Sequence, residues 1–319
     1  MRVLRGGRKV ELLWWFAQNR TEFGNTVFGG VTFLGGTAAV IGVVLVLYYC
    51  VDKKLAIRIG FSFFVSCLIV QGLKIVMRVP RPWVLDPEFK AVESAIPGAS
   101  GYSFPSGHTQ TVTALAGTLI FTTKKWYIKL VSILLALAVM ISRMYLGVHT
   151  PDDVLWGLII AAVVTLIVNL VADRIELTKR NRLIAALGTI AVAIGLTVYC
   201  GIIYKNDIID YANAADIFKI CGSAAAFAGC WYVETTYVNF NERGLPVYKH
   251  IIKLVVGAAV AFGVKEGFKF ILPAGAVGDF VRYFLMVVWA LGVFPVIIKR
   301  YLNGTETSEN GRKAQRARR

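Results

Sequence analysis

Apolar residues in this chain arrive in long blocks that no charge interrupts. Residues 23–51, 154–172 and 183–204 lack any charged side chain, and each block meets the roughly 20-residue length that a bilayer-spanning helix needs. Other blocks are shorter or interrupted: 55–73 carries only Arg58 near one end, and 130–142 extends through Arg143 if that residue faces a polar pocket. Nine spans are predicted, over 28–50, 55–74, 106–122, 127–146, 152–172, 183–204, 214–237, 249–267 and 280–299. The eighth is the weakest, because its charge-free stretch covers only 254–264 and Lys265, Glu266 and Lys269 must leave the hydrocarbon or face protein. The expected fold class is an all-α, polytopic membrane helical bundle.

Composition agrees, since 56% hydrophobic residues over 319 positions lie well outside what a soluble domain carries. Charge then orients the spans. Asp52-Lys53-Lys54, Lys124-Lys125, Lys179-Arg180-Arg182, Arg243 with Lys249, and Lys299-Arg300 with the basic end of the chain all fall on one face, which the positive-inside rule makes cytoplasmic. The less basic segments 75–105, 147–151, 205–213 and 268–279 fall on the other, extracytoplasmic face. Arg2, Arg5, Arg8 and Lys9 run against this trend, because an odd number of spans puts them outside. The net charge of +16 reads as an orientation signal and a contact to anionic lipid, not as a nucleic-acid surface. Glu11 to Gln18, with Trp14, Trp15 and Phe16, fits an interfacial helix, and no cleavable signal peptide is apparent. The five cysteines lie in or beside apolar spans without metal-type spacing, so they read as packing residues.

Two of the three histidines sit in polar motifs on the face assigned as extracytoplasmic. His108 ends Pro105-Ser106-Gly107-His108, directly before an apolar helix. Ser106 suits an N-cap, and the amides of Ser106, Gly107 and His108 would form an anion site at the positive end of the helix dipole. His149 precedes Thr150-Pro151-Asp152-Asp153, which opens another apolar helix. A carboxylate at Asp153 can accept the imidazole Nδ1–H and leave Nε2 free to attack phosphorus. The same residues also make a helix cap with no chemistry attached, Thr150 as N-cap, Pro151 first and Asp153 third. Lys74, Arg78 and Arg81 read either as interfacial anchors or, beside two histidines, as cations able to neutralise a phosphoryl group.

Lys74, six residues, Arg81-Pro82; Pro105-Ser106-Gly107-His108; Ser142-Arg143, five residues, His149, three residues, Asp153: in this order the residues resemble all three motifs of the type 2 phosphatidic acid phosphatase superfamily. The resemblance implies a six-helix phosphatase core and a hydrolase that needs no metal or other cofactor and works through a phosphohistidine. His149 would be the nucleophile, Asp153 its orienter and His108 the acid on the leaving oxygen. Lys74, Arg81, Arg143, Ser106 and the Gly107 amide would hold the phosphoryl oxygens. The nine-span plan and the stretch Arg81 to Asp86 are also similar to glucose-6-phosphatase.

On this reading the chain divides into an N-terminal interfacial segment (1–27), the phosphatase core (28–172), additional transmembrane helices (173–301) and a basic, disordered cytoplasmic tail (302–319). The expected substrate is a lipid phosphate in the bilayer of the cell membrane, with polyprenyl diphosphate ranked first because carrier-lipid recycling takes place at the outer face. Phosphatidic acid, phosphatidylglycerol phosphate and a sugar phosphate are the enzyme alternatives. A haloperoxidase shares the pocket motifs, and a transporter or lipid-binding scaffold is the non-enzymatic alternative. Loop 83–104 is expected to rim the site, while 183–299 shows no catalytic motif and His250 no chemical role.

Overall fold

A computed structural model describes residues 7–176 and 178–303, and all regular structure among them is helical. The expected tail falls outside the described residues from 304 onward. In chain order the helices are α1 (Gly7–Gln18), α2 (Glu22–Leu34), α3 (Thr37–Val46), α4 (Lys53–Met77), the short α5 (Pro82–Leu85), α6 (Gly107–Thr122), α7 (Trp126–Tyr145), α8 (Pro151–Arg174), α9 (Lys179–Lys205), α10 (Tyr211–Val233), α11 (Val247–Gly267), α12 (Ala276–Val287) and the short α13 (Phe294–Ile297).

Six helical stretches are long and apolar enough to cross a bilayer, Lys53–Leu85, Trp126–Tyr145, Pro151–Arg174, Lys179–Lys205, Val247–Gly267 and Ala276–Tyr301, which makes this a multi-span membrane protein. α2 with α3 makes a seventh if the pair counts as one span. The straight span expected over 28–50 is instead bent by 47° between Leu34 and Thr37, where Gly35 and Gly36 turn their amides back to the carbonyls of Thr32 and Phe33. α6 meets no such criterion because it has 16 residues. It is surrounded by protein instead, so it can carry the buried Thr109, Gln110, Thr111, Thr113 and Thr118. Gln110 Nε2 donates to Ser66 Oγ at 2.7 Å and Thr118 Oγ1 to Ser62 Oγ at 3.1 Å, which satisfies polar groups that lipid could not. The eighth predicted span survives as α11, with Glu266 at its end paired to Lys265 at 2.9 Å and Lys269 at 2.5 Å.

The chain forms two compact units. The first comprises Met1–Val43, Arg58–Ile175 and Leu196–Ile217. Within it α7 buries Ser132, Ala136, Val139 and Arg143, one face at helical spacing, and exposes Val131, Leu134, Leu137 and Ile141. α8 repeats the pattern, with Asp153, Gly157, Ala161 and Thr165 inward and Leu155, Trp156, Val163 and Ile167 outward. Polar inside and apolar outside is the arrangement a bilayer rewards. α1 docks by Leu13, which is fully buried, and by Trp14, whose Nε1 donates to Asp86 Oδ2 at 3.2 Å.

The second unit comprises Val44–Ile57, Glu176–Gly195 and Phe218–Arg319. Its described part is built around the small buried face Ala224, Ala225, Ala226 and Ala228 of α10 and the ring pair Tyr49 and Phe294. Lys53, expected as an interfacial loop charge, is buried here: its Nζ donates to Glu234 Oε1 and to the Phe240 carbonyl, each at 2.8 Å. Asp279 and Arg282 of α12 form a second buried pair.

Candidate active site

Every predicted site residue lies in the first unit, on four elements and the turns between them. Lys74 is in the last turn of α4, and Arg81 follows immediately before α5. Ser106 caps α6, with its side chain accepting from the Thr109 amide, and Gly107 and His108 open that helix. Arg143 sits in the last turn of α7, His149 in the turn after it, and Asp153 in the first turn of α8. Lys74, Arg81, Ser106, Arg143, His149 and Asp153 are all buried.

The His149 turn is shaped by Gly147, whose φ of +75° lies in the left-handed region that favours glycine. A Cβ there would meet Arg20 Nη2 at 2.5 Å and the Phe89 ring at 2.8 Å. Arg20 closes the turn from outside, donating from Nε to the Tyr145 carbonyl at 2.8 Å and from Nη1 to the Lys90 carbonyl at 2.6 Å. The loop expected as a rim therefore has a core of its own. Ala91, Ala95 and Ala99 pack on Tyr145, Leu146 and Val148.

His149 is held at both ring nitrogens. Arg81 Nη1 lies 3.0 Å from Nε2, and Asp153 Oδ2 lies 3.4 Å from Nδ1. An arginine can only donate, so Nε2 is the acceptor and the ring proton sits on Nδ1, toward the carboxylate. Asp153 Oδ2 is fixed in turn by Ser103 Oγ at 2.6 Å and the Thr150 amide at 2.8 Å, the latter half of a complete capping box with Thr150. The oxygen that completes the cap is also the one that lies 3.4 Å from His149 Nδ1, so the two readings open on sequence grounds are geometrically compatible. Burial first, and then the charges of Arg81, Arg143 and Lys74, hold the His149 imidazole well below the usual histidine range. The resting ring is neutral, with a lone pair on Nε2.

Arg81 is anchored by backbone: Nε donates to Gly101 O at 2.9 Å, Nη1 to Val148 O at 2.9 Å and Nη2 to Ser100 O at 2.7 Å. Arg143 is not. Its Nη1 donates to Thr32 Oγ1 at 3.0 Å, while its buried Nε and Nη2 have no partner. A buried guanidinium with two unused donors has the capacity to bond the oxygens of an anion. His108 belongs to the same field, since Arg143, Lys74 and Arg81 all act on it and it acts on His149. One expected contributor is otherwise engaged: the Ser106 amide donates to the Asp153 carbonyl at 2.9 Å, which leaves Gly107 and His108 to offer amides. A Cβ on Gly107 would meet nothing within 4 Å, so there is open space beside this residue. Among the described residues no group of three or more His, Cys, Asp or Glu side chains could hold a metal ion.

Ser103, Thr32, Arg20 and the carbonyls of Ser100 and Gly101 were not foreseen. Ser103 and Thr32 are single hydroxyls in segments without a motif, and backbone carbonyls leave no mark in a sequence.

Similarities to known proteins follow the same boundaries. A 34% identical stretch of 113 residues is shared with the undecaprenyl-diphosphatase of Sulfolobus acidocaldarius, covering 35% of this chain and 53% of that protein. Undecaprenyl-diphosphatase BcrC of Bacillus subtilis is 30% identical over 115 residues, 35% of this chain and 55% of its own. Sphingosine-1-phosphate phosphatase 2 of Mus musculus is 29% identical over 122 residues, 36% of this chain and 33% of its own. The chain thus spans about half the length of the first and second of these relatives and a third of the other. Residues 55–176, which hold every predicted site residue, match the PAP2 superfamily, and 218–305 match the transmembrane extension of PAP2 superfamily phosphatases. A buried histidine between an arginine and a carboxylate, in a field of cations and within those boundaries, places the chain in the PAP2 superfamily over residues 55–176, with that superfamily's transmembrane extension over 218–305.

Proposed function

We propose that this protein is an integral-membrane phosphatase that hydrolyses a lipid phosphate or diphosphate through a phosphohistidine, with undecaprenyl or another polyprenyl diphosphate as the leading substrate. The observation that carries the reading is the buried His149, with Nε2 toward Arg81 and Nδ1 toward Asp153, beside the two unpartnered donors of Arg143.

The chemistry follows from those groups. The Nε2 lone pair attacks phosphorus as the bond to the leaving oxygen breaks, and His108, protonated once the bound anion offsets the surrounding cations, gives that oxygen its proton. Asp153 stabilises the positive charge that develops on the ring. Lys74, Arg81 and Arg143, with the Gly107 amide and the Ser106 hydroxyl, hold the phosphoryl oxygens and offset the charge on the pentavalent phosphorus. Water then attacks the phosphohistidine, His108 takes its proton, the P–N bond breaks and phosphate leaves. No step requires a metal ion.

Similarity to two undecaprenyl-diphosphatases supports the diphosphate, and the sphingosine-1-phosphate phosphatase keeps a lipid phosphomonoester as the second reading. The alternation of loop charge supports an active site on the extracytoplasmic face of the cell membrane and nine crossings in all. Phosphate release by the purified protein from polyprenyl diphosphate, phosphatidic acid, phosphatidylglycerol phosphate and glucose 6-phosphate tests the reading. Turnover of polyprenyl diphosphate is expected to dominate, without added Mg²⁺ and with inhibition by vanadate. A preference for glucose 6-phosphate would overturn the lipid assignment.

A further inference from the structure

Residues 177–217 lie between the two superfamily matches, 55–176 and 218–305, and belong to neither. Yet Leu196–Ile217, the end of α9 and the start of α10, folds into the same compact unit as the candidate site. It brings a carboxylate there. Asp216, half-buried in the second turn of α10, accepts a hydrogen bond from Ser100 Oγ at 2.5 Å, and its charge acts on both Lys74 and Arg81. Beside it, Asn213 packs against Gly101, where a Cβ would lie 3.8 Å from Asn213 Oδ1 and the backbone is left-handed with φ +64°. Asp210 caps this end of α10 by accepting from the Asn213 amide at 2.9 Å, so Asn213 in the first turn and Asp216 in the second sit on an ordered helix start.

We propose that Asp216 is a positioning residue of the phosphatase site, holding through Ser100 the turn whose two carbonyls orient Arg81. This rests on the proposed function. The chain of contacts is short: Asp216 to Ser100 Oγ at 2.5 Å, Ser100 O to Arg81 Nη2 at 2.7 Å, Gly101 O to Arg81 Nε at 2.9 Å, and Arg81 Nη1 to His149 Nε2 at 3.0 Å. Ser100 is exposed, and an ordinary exposed hydrogen bond contributes little. Two features set this one apart. The carboxylate faces buried cations that have few other counter-charges, and the turn it fixes cannot shift without moving two of the three carbonyl anchors of the guanidinium. Asp216 touches neither the reacting phosphorus nor His149, and it acts only by where it keeps Arg81 and by the counter-charge it gives the pocket.

The test uses the full chain in detergent, with two readouts: steady-state phosphate release from polyprenyl diphosphate, and orthovanadate affinity from the shift in thermal unfolding, which needs no knowledge of the substrate. Asp216→Ala and Ser100→Ala are each expected to lower kcat about tenfold with a smaller change in KM, and to weaken vanadate by a similar factor. Asp216→Glu should recover part of both. Asp216→Ala introduced into Arg81→Lys should cost less than it does in the parent, because the guanidinium it positioned is already gone and only its counter-charge to the pocket remains to be lost. Turnover and vanadate affinity within twofold of the parent in both alanine variants would overturn the proposal, as would full additivity with Arg81→Lys. If the parent released no phosphate from any lipid while vanadate affinity still fell in Asp216→Ala, the proposed function would fail and the positioning role would stand. Should Asp216→Ala not fold, Ser100→Ala removes the same contact from the other side.

Discussion

Both compact units bury charge, and they do so in opposite ways. In the second unit each buried cation meets oxygen: Lys53 has Glu234 and the Phe240 carbonyl, Arg282 has Asp279, and Lys253 donates to the Tyr49 carbonyl. In the first unit Lys74, Arg81 and Arg143 act together on two histidines; Arg81 too is anchored on carbonyls, but Arg143 keeps two buried donors unused. Burying a charge in a membrane protein is costly whichever way it is done. A cation paired within the fold recovers much of the cost there and has no donor left unused, although Glu234 Oε2 itself lacks a partner. A cluster left open recovers it only when an anion arrives. The contrast separates structural charge from a site more sharply than burial does, because Lys53 and Lys74 are equally buried at 8% exposure.

That contrast can be broken by substitution. The largest effect is expected at the nucleophile, where His149→Ala should lower phosphate release at least a thousandfold in a discontinuous phosphate assay. Retained turnover would remove His149 from the mechanism. Arg143→Ala should cost about a hundredfold or more in kcat, and Arg143→Lys should recover only part, since an ammonium cannot present the same fork of donors. On the other side of the comparison, Lys53→Met strands the Glu234 carboxylate and should cost about 3–5 kcal/mol of stability. Lys53→Met combined with Glu234→Leu should restore most of it, with turnover per folded molecule within about twofold of the parent throughout. If the double variant lost activity as Arg143→Ala does, the division into closed and open charge would be wrong.

The smallest effect concerns pH. The folded His149 imidazole lies below its unfolded value of about 6.5, so the unfolded chain binds the proton first as pH falls. Stability from this group is present above that value and declines as pH drops below it toward the folded pKa. The thermal midpoint of the parent should therefore fall between about pH 7 and pH 5 more steeply than that of His149→Gln. Equal slopes would mean that burial and the groups facing the ring, Arg81, Arg143, Lys74 and His108, do not depress it against the opposing carboxylate of Asp153.

What the chain reveals before folding depends on how local the information is. Asp153 follows His149 by one helical turn and Ser106 caps the helix that His108 opens, so both relations are legible as spacing. The blocks α4, α7, α8 and α9 are legible too, because a bilayer imposes length and apolarity directly. α6 reads less clearly as a span, since protein rather than lipid surrounds it. The pair Lys53 and Glu234 spans 181 residues, and a lysine beside Asp52 and Lys54 reads as loop charge until the partner is known. Asp216 was invisible for the same reason. Its partner Ser100 is 116 residues away, and a lone aspartate near a helix start resembles any helix cap.

The clamp that Arg20 places on the Tyr145 carbonyl joins residues 125 apart, and Asp216 reaches back 116 residues to Ser100. During synthesis these contacts form in a set order. Arg20 leaves the ribosome long before Tyr145 exists, and the turn bearing His149 waits for it with Gly147 unconstrained. Segments of a chain generally fold as they emerge. The turn bearing His149 is thus clamped by Arg20 only after most of the first unit's helices have been made. For most of its biogenesis the protein is a set of inserted helices carrying unaligned cations, and competence arrives late, when the start of α10 has been made and reaches Ser100.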